Sequence, residues 1–156
     1  MATSRTPDGK MAQESRSSPR EIQKYLGRVS GPLLDRIDLH VEVPQVKFRE
    51  ISSAGVGESS AAIRQRVIEA RRRQQLRFAK KPAITCNARM GPRQLKAYCS
   101  LEDSTMELLK FAMTDLNLSA RAYDRILKVA RTIADLAGAT AIAREHVAEA
   151  LLYRRS

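Results

Sequence analysis

The sequence predicts a mainly α-helical protein, a helical bundle over residues 60–156 that is preceded by a short helix and a single strand. Apolar residues recur at helical spacing throughout the second half of the chain, and the connections between those segments are short. Alternation of apolar and polar residues, the pattern of a half-buried strand, is convincing only over residues 39–44. The chain of 156 residues is 43% hydrophobic, which suffices for one packed domain with attached arms.

The first third of the chain is predicted to hold an arm, a helix and the strand. Residues 1–17 are polar with almost no large apolar side chains, which predicts a disordered arm. Ser18 and Pro19 are expected to start a helix that ends near Val29, because a capping serine followed by proline is typical of helix starts. The sequence contains no second convincing strand. The sheet that this strand would join is therefore missing, or the segment lies loose or pairs with another chain.

A hinge over residues 51–59 is predicted to precede a long basic helix over about residues 60–79. Its apolar side is formed by Ile63, Val67 and Ala70 at helical spacing. Arginines occupy much of the remaining surface of this helix: Arg64, Arg66, Arg71, Arg72, Arg73 and Arg77. Further helices are expected over about residues 92–98, 104–116, 119–137 and 144–153.

Arg121 stands at the very start of one of these helices, which Ser119 caps and Gly138 ends. Helix starts carry unpaired N–H groups and about half a positive charge, so an arginine there makes electrostatic sense mainly if an anion binds nearby. A phosphate is the obvious candidate. Arg121, Arg125 and Lys128 share one face of this helix, which could approach a polyanion or remain in water; on the sequence alone, the solvated face is favoured.

The net charge of +11 favours association with phosphates, nucleic acid or an anionic protein surface. Arg71, Arg72 and Arg73, with Arg64 and Arg77, are therefore candidate nucleic-acid-binding residues, although solubility explains the same cluster equally well. Aromatic residues make up 4% of the chain and tryptophan is absent, which argues against a base-stacking platform.

Other functional classes find little support. No segment is apolar enough to span a bilayer and the polar start lacks the apolar core of a signal peptide, so we expect a cytoplasmic protein with no membrane partner. Cys86, Cys99, His40 and His146 lack ligand-like spacing, and no metal site is expected. Neither cysteine has a convincing catalytic partner near it in the sequence.

Three blocks of the sequence resemble the magnesium-chelatase-like ATPases of the ComM/YifB group. They are residues 30–44, which contain Leu-Leu-Asp-Arg-Ile-Asp, residues 57–60, and residues 118–137. The resemblance extends over about residues 18–154. It implies an AAA+ ATPase in which residues 18–50 are the last helix and strand of an α/β core and residues 60–156 are the helical lid.

The resemblance also implies roles and partners. Arg36 matches the arginine finger that reaches the γ-phosphate of a neighbouring subunit, and Arg121 matches the sensor-2 arginine that reaches the phosphates in its own subunit. Without the resemblance, an ion pair of Arg36 with Asp35 or Asp38 is favoured. The full-length protein is expected to use ATP and Mg²⁺ within a homo-oligomeric ring, taken to be a hexamer. This chain, which lacks the phosphate-binding loop, is expected to be monomeric and inactive alone.

The resemblance favours an ATPase that remodels DNA. Two alternatives remain: a magnesium chelatase motor subunit, and a stand-alone basic helical module that binds nucleic acid. An upstream nucleotide-binding loop in the same reading frame would separate the last alternative from the others.

Overall fold

The computed structural model describes residues 37–41, 43 and 57–154. The predicted arm over residues 1–17, the predicted helix that begins at Ser18, and Arg36 lie outside the described residues. Five α-helices are present in the described part: α1 Ser60–Phe78, α2 Pro92–Tyr98, α3 Asp103–Asp115, α4 Ala120–Leu136 and α5 Arg144–Leu152. A single 3₁₀ turn, Asn87–Arg89, lies between α1 and α2. The predicted helical bundle is therefore confirmed.

Helix boundaries follow local chemistry. The Ser59 and Ser119 hydroxyls accept hydrogen bonds from the backbone N–H groups of Ala62 and Ala122, each at 3.2 Å, and so cap α1 and α4. Gly138 follows α4 with a φ of 76°, a left-handed conformation that glycine adopts without strain. These capping signals are short-range, which explains why the sequence predicted the ends of α1 and α4 closely.

Helix α4 lies at the centre of the bundle, in contact with α1, the 3₁₀ turn, α2 and α5. Ile126, Ala130 and Ala134 on α4 are completely buried, as are Leu109 on α3 and Val147 on α5. Burying a large aliphatic side chain contributes about 1.5–3 kcal/mol, so these contacts make α4 the main organiser of the core.

The apolar side predicted for α1 is only partly correct. Ala70 is buried, whereas Ile63 and Val67 remain 43% and 38% exposed. Helix α1 packs on α4 through its C-terminal half, where Gln74 and Phe78 are also buried. The N-terminal half of α1 is therefore not covered by the other helices of the described part of the chain.

The predicted strand is not found in the described part of its span. Residues 37–41 and 43 contain no strand, and Val41 and Val43 are 66% and 83% exposed. The backbone N–H of His40 instead donates to the carbonyl oxygen of Tyr153 at 2.9 Å, just after the end of α5. A helix end thus supplies the partner that a neighbouring strand would otherwise provide.

Among the described residues, none of the helices combines the length and apolar character needed to cross a bilayer.

Candidate functional site

Arg121 is the second residue of α4 and its side chain is exposed. The first turn of α4 contains no acidic residue that could neutralise the helix start. Arg121 makes no hydrogen bond or ion pair with any residue that the structure describes. The guanidinium and the positive end of the helix dipole are therefore both accessible to an anion.

The two cations that follow Arg121 on α4 are occupied. Arg125 forms an ion pair with Asp38, with Nη1 and Oδ1 2.5 Å apart. Lys128 donates from Nζ to the backbone carbonyl of Ala88 at 3.1 Å. The three residues lie on the same face of α4, but only Arg125 and Lys128 bind acceptor groups among the described residues.

The arginines of α1 fall into different environments. Arg64, Arg71 and Arg72 are exposed and make no ion pair within the described part of the chain. Arg73 is half-buried, with Nη2 3.5 Å from the position that a Cβ atom would take at Gly138. Arg66 forms a bidentate pair with Glu58 at 2.6 and 3.0 Å.

Arg77 does not belong with the exposed arginines, and its assignment as a nucleic-acid-binding residue needs correction. Its guanidinium donates two hydrogen bonds to the carboxylate of Asp135, at 2.5 and 2.7 Å, and a third to Asn87 Oδ1 at 2.8 Å. The side chain is only 14% exposed. Because its donors are directed into the protein, Arg77 is not available to a polyanion.

Asp135 is the acceptor at the centre of this buried network. It also receives hydrogen bonds from Asn87 Nδ2 at 2.8 Å and from Arg131 Nη2 at 3.0 Å. Burial by itself raises the pKa of Asp135, but the hydrogen bonds from Arg77 and Asn87 and the charge of Arg131 outweigh it, so the pKa lies below its ordinary value. The carboxylate thus remains charged in the folded protein at neutral pH.

The network joins separate parts of the bundle. Gln74 of α1 accepts from the backbone N–H of Asn87 at 3.0 Å, and Asn87 donates to Thr132 of α4 at 3.1 Å. Arg131 bonds the carbonyl oxygens of Ala139 and Thr140 beyond the end of α4. These residues have a structural role that the sequence did not indicate, because nothing in the local pattern marks them as partners.

The Cys99 thiol is buried and does not have the character of a reactive thiol. Cys86 and Cys99 are both free thiols. Burial raises the pKa of Cys99 to about 11, against the opposing effect of the Arg131 and Arg77 charges. The Cys99 thiol is therefore protonated at neutral pH and a poor nucleophile. Within residues 37–41, 43 and 57–154, no cluster of three or more His, Cys, Asp or Glu side chains could hold a metal ion.

Comparison with known protein families gives two matches that together cover most of the chain. The family described as magnesium chelatase, subunit ChlI C-terminal, matches residues 57–154, which include all five helices. The family described as magnesium chelatase, subunit ChlI, matches residues 1–51.

Individual relatives agree with this assignment. The chain is 44% identical over 141 residues to competence protein ComM of Haemophilus influenzae, a match that covers 90% of this chain and 27% of the relative. It is 43% identical over 141 residues to the uncharacterized protein YifB of Salmonella typhimurium, with the same coverage. An uncharacterized protein of Mycobacterium tuberculosis is 37% identical over 134 residues, 86% of this chain and 26% of the relative.

The chain thus spans about a quarter of the length of these curated relatives. The helical bundle coincides with the C-terminal family match, and the ComM and YifB relatives agree with the resemblance seen in the sequence. The chain belongs to the magnesium chelatase subunit ChlI family of AAA+ ATPases, as a member of the ComM/YifB type.

Proposed function

We propose that residues 57–154 are the lid of a ring-forming AAA+ ATPase that couples ATP hydrolysis to DNA remodelling. In this proposal Arg121 is the sensor-2 residue that binds the nucleotide phosphates, and Arg36 is the arginine finger directed at a neighbouring subunit. The intact protein would use ATP and Mg²⁺ in a homo-oligomeric ring. The observation that carries the proposal is the exposed Arg121 at the capped start of α4, without a partner among the described residues.

The position of Arg121 suits a phosphate ligand for two reasons. An arginine that approaches a helix start without a nearby carboxylate is repelled by the helix dipole, and an anion reverses the sign of that interaction. The guanidinium fork also matches phosphate geometry with two parallel hydrogen bonds. Arg121 would thus bind the negatively charged phosphate oxygens of the nucleotide. Arg125 and Lys128, in contrast, already bind acceptor groups of the protein.

Replacing Arg121 by alanine in the intact protein should weaken ATP binding by roughly 10- to 100-fold, since a hydrogen bond to a charged group contributes about 1.5–3 kcal/mol. Equilibrium titration with a fluorescent ATP analogue measures this. Arg93→Ala is the matched control, because Arg93 is also the exposed second residue of a helix, α2. Equal ATP affinity of the Arg121→Ala variant and the unmodified protein would remove Arg121 from the nucleotide site.

The basic surface of α1 supports the DNA part of the proposal. Helix α1 contains six arginines and a single acidic residue, Glu69. Of these arginines, Arg64, Arg71 and Arg72 are exposed and unpaired within the described residues. Arg71 also borders an open cavity of about 510 Å³, whose lining includes the amide and hydroxyl side chains of Gln75, Thr85 and Thr132 as well as Cys86 and Ala88. This surface offers hydrogen-bond donors and positive charge to phosphodiester groups.

Duplex DNA should bind this chain with an affinity that falls as salt rises, and changing Arg64, Arg71 and Arg72 together to glutamine should weaken binding. For every arginine–phosphate interaction that the substitutions remove, the slope of log affinity against log salt should become shallower by about 0.9. Fluorescence anisotropy at low and moderate salt measures both effects. Arg66→Gln is the control, because Glu58 already neutralises Arg66. Salt-independent binding, or no binding, would leave solubility as the role of the cluster.

The match of residues 1–51 to the magnesium chelatase subunit ChlI family favours a part of an ATPase over a stand-alone nucleic-acid-binding module. DNA binding by α1 and nucleotide binding through Arg121 are separate properties, and the two experiments test them independently.

A further inference from the structure

We propose that residues 37–41 form a tether that joins the arginine-finger position to the lid, with Asp38 and Arg125 as positioning residues; this inference rests on the proposed function. Arg36 directly precedes the tether in the sequence. The tether would make the placement of the finger depend on the position of α4, the helix that starts with the candidate phosphate-binding residue Arg121.

Among the described residues, three polar contacts hold the tether on the bundle. The carbonyl oxygen of Ile37 accepts a hydrogen bond from Arg154. Asp38 forms the 2.5 Å ion pair with Arg125, and the backbone N–H of His40 donates to the carbonyl oxygen of Tyr153 at 2.9 Å. Within four residues, the tether therefore contacts both α4 and the end of α5.

The tether is fixed by polar contacts rather than by apolar burial. Leu39 and Val41 are 49% and 66% exposed, and the Asp38 side chain is 55% exposed. Exposed ion pairs contribute modestly to stability, so each contact alone is weak. Such an attachment is specific in register but can be released, which is what a positioning element needs.

Helix α4 gives the tether its connection to the nucleotide. Arg125 lies one helical turn after Arg121, on a 17-residue helix that packs against α1, α2 and α5. A helix packed on several sides moves as a rigid unit. A displacement of α4 when Arg121 binds phosphate would therefore move Arg125, and with it Asp38 and the chain that leads to Arg36.

A charge swap in the intact ATPase tests the ion pair. Asp38→Arg and Arg125→Asp should each lower ATP turnover about tenfold or more, since small misplacements of a catalytic group have effects of this size. The double variant should recover turnover to within about threefold of the unmodified protein, because the swapped pair restores the contact. The matched control is Glu58→Arg with Arg66→Glu, a second exposed ion pair in this chain. Its single and double variants should all keep turnover within about twofold.

Two further readouts separate positioning from a general structural effect. Asp38→Arg should leave ATP affinity unchanged, and in an Arg36→Ala background it should cause no additional loss of turnover, because Asp38 acts through Arg36. Failure of the double variant to recover, or an undiminished effect in the Arg36→Ala background, would overturn the inference.

Hydrogen exchange in this chain tests the tether independently of ATPase activity. The His40 amide should be protected by its bond to Tyr153, and Asp38→Arg or Arg154→Ala should speed its exchange at least about fivefold. An unprotected His40 amide in the unmodified chain would overturn the tether itself. If His40 is protected but the intact protein neither binds nor hydrolyses ATP, the proposed function fails and the positioning role fails with it.

Discussion

Replacing Arg36 by alanine in the intact ATPase should lower ATP turnover by roughly 10³-fold or more, the effect of removing an arginine that stabilises the transition state of phosphoryl transfer. The physical reason is that charge builds on the transferring phosphoryl group, where a guanidinium offers both charge and a pair of directed donors. Steady-state hydrolysis at saturating ATP measures this effect. If Arg36 is the finger proposed above, ATP binding should change little, because the nucleotide on which it acts would be held mainly by another subunit.

Controls for this experiment separate catalysis from folding. Arg36→Ala should change the stability of this chain by no more than about 0.5 kcal/mol, because the role proposed for Arg36 is catalytic rather than structural. Arg36→Lys should recover only part of the turnover, because lysine retains the charge but loses the bidentate geometry. Normal turnover of the Arg36→Ala enzyme would show that the finger is a different residue; unfolding of the variant chain would show that Arg36 is structural.

Replacing Asp135 by alanine should lower the free energy of unfolding of this chain by about 3–5 kcal/mol, because it leaves buried charge without its partner. Arg131 is 3% exposed and Arg77 14% exposed, so neither guanidinium can recover much hydration. Urea denaturation followed by circular dichroism measures the loss. Asp115→Ala, at an exposed position near the end of α3, should change the free energy of unfolding by no more than about 0.5 kcal/mol. A loss below about 1 kcal/mol at Asp135 would contradict the importance of the network.

The pKa of Asp135 adds a pH dependence to the same experiment. A carboxylate whose pKa is lower in the folded state contributes stability that is fully present above its unfolded pKa, about 3.9, and is lost as pH falls through the folded value. The free energy of unfolding of the unmodified chain should therefore decrease as the pH drops below about 4. The Asp135→Ala variant should show a smaller fall over that range, because the linked proton is absent.

The helices could be predicted because their signals are local. Ser59 and Ser119 cap α1 and α4, Pro92 starts α2, and the apolar period of α4 identifies its buried face. The Asp135 network could not be predicted in this way. Arg77 and Asp135 are 58 residues apart, and nothing near either one distinguishes a buried arginine from the exposed arginines beside it.

The candidate site shows the same division between local and distant information. The electrostatics of a helix start identified Arg121 as a candidate phosphate-binding residue from the sequence, and its side chain is exposed in the structure. The pairing of Arg125 with Asp38 depends on a contact across 87 residues. The strand prediction was not met at residues 39–41 and 43, because alternation of residue type does not report which backbone partner lies nearby. Here the backbone partner of His40 is Tyr153, just after the end of α5.

The N-terminal half of α1 is exposed and lies outside the packed core of the bundle. Residues 60–69 are all exposed, so backbone hydrogen bonds, the Ser59 cap and the Glu58–Arg66 pair are the contacts that hold them helical within the described chain. Ten helical residues extend about 15 Å, and an isolated helix of that length is marginal in water. Residues 60–69 are therefore held by local contacts, whereas the part of α1 from Ala70 onwards packs on α4. Loss of the helix over residues 60–69 would leave the packed core of the bundle intact, because none of these residues is buried.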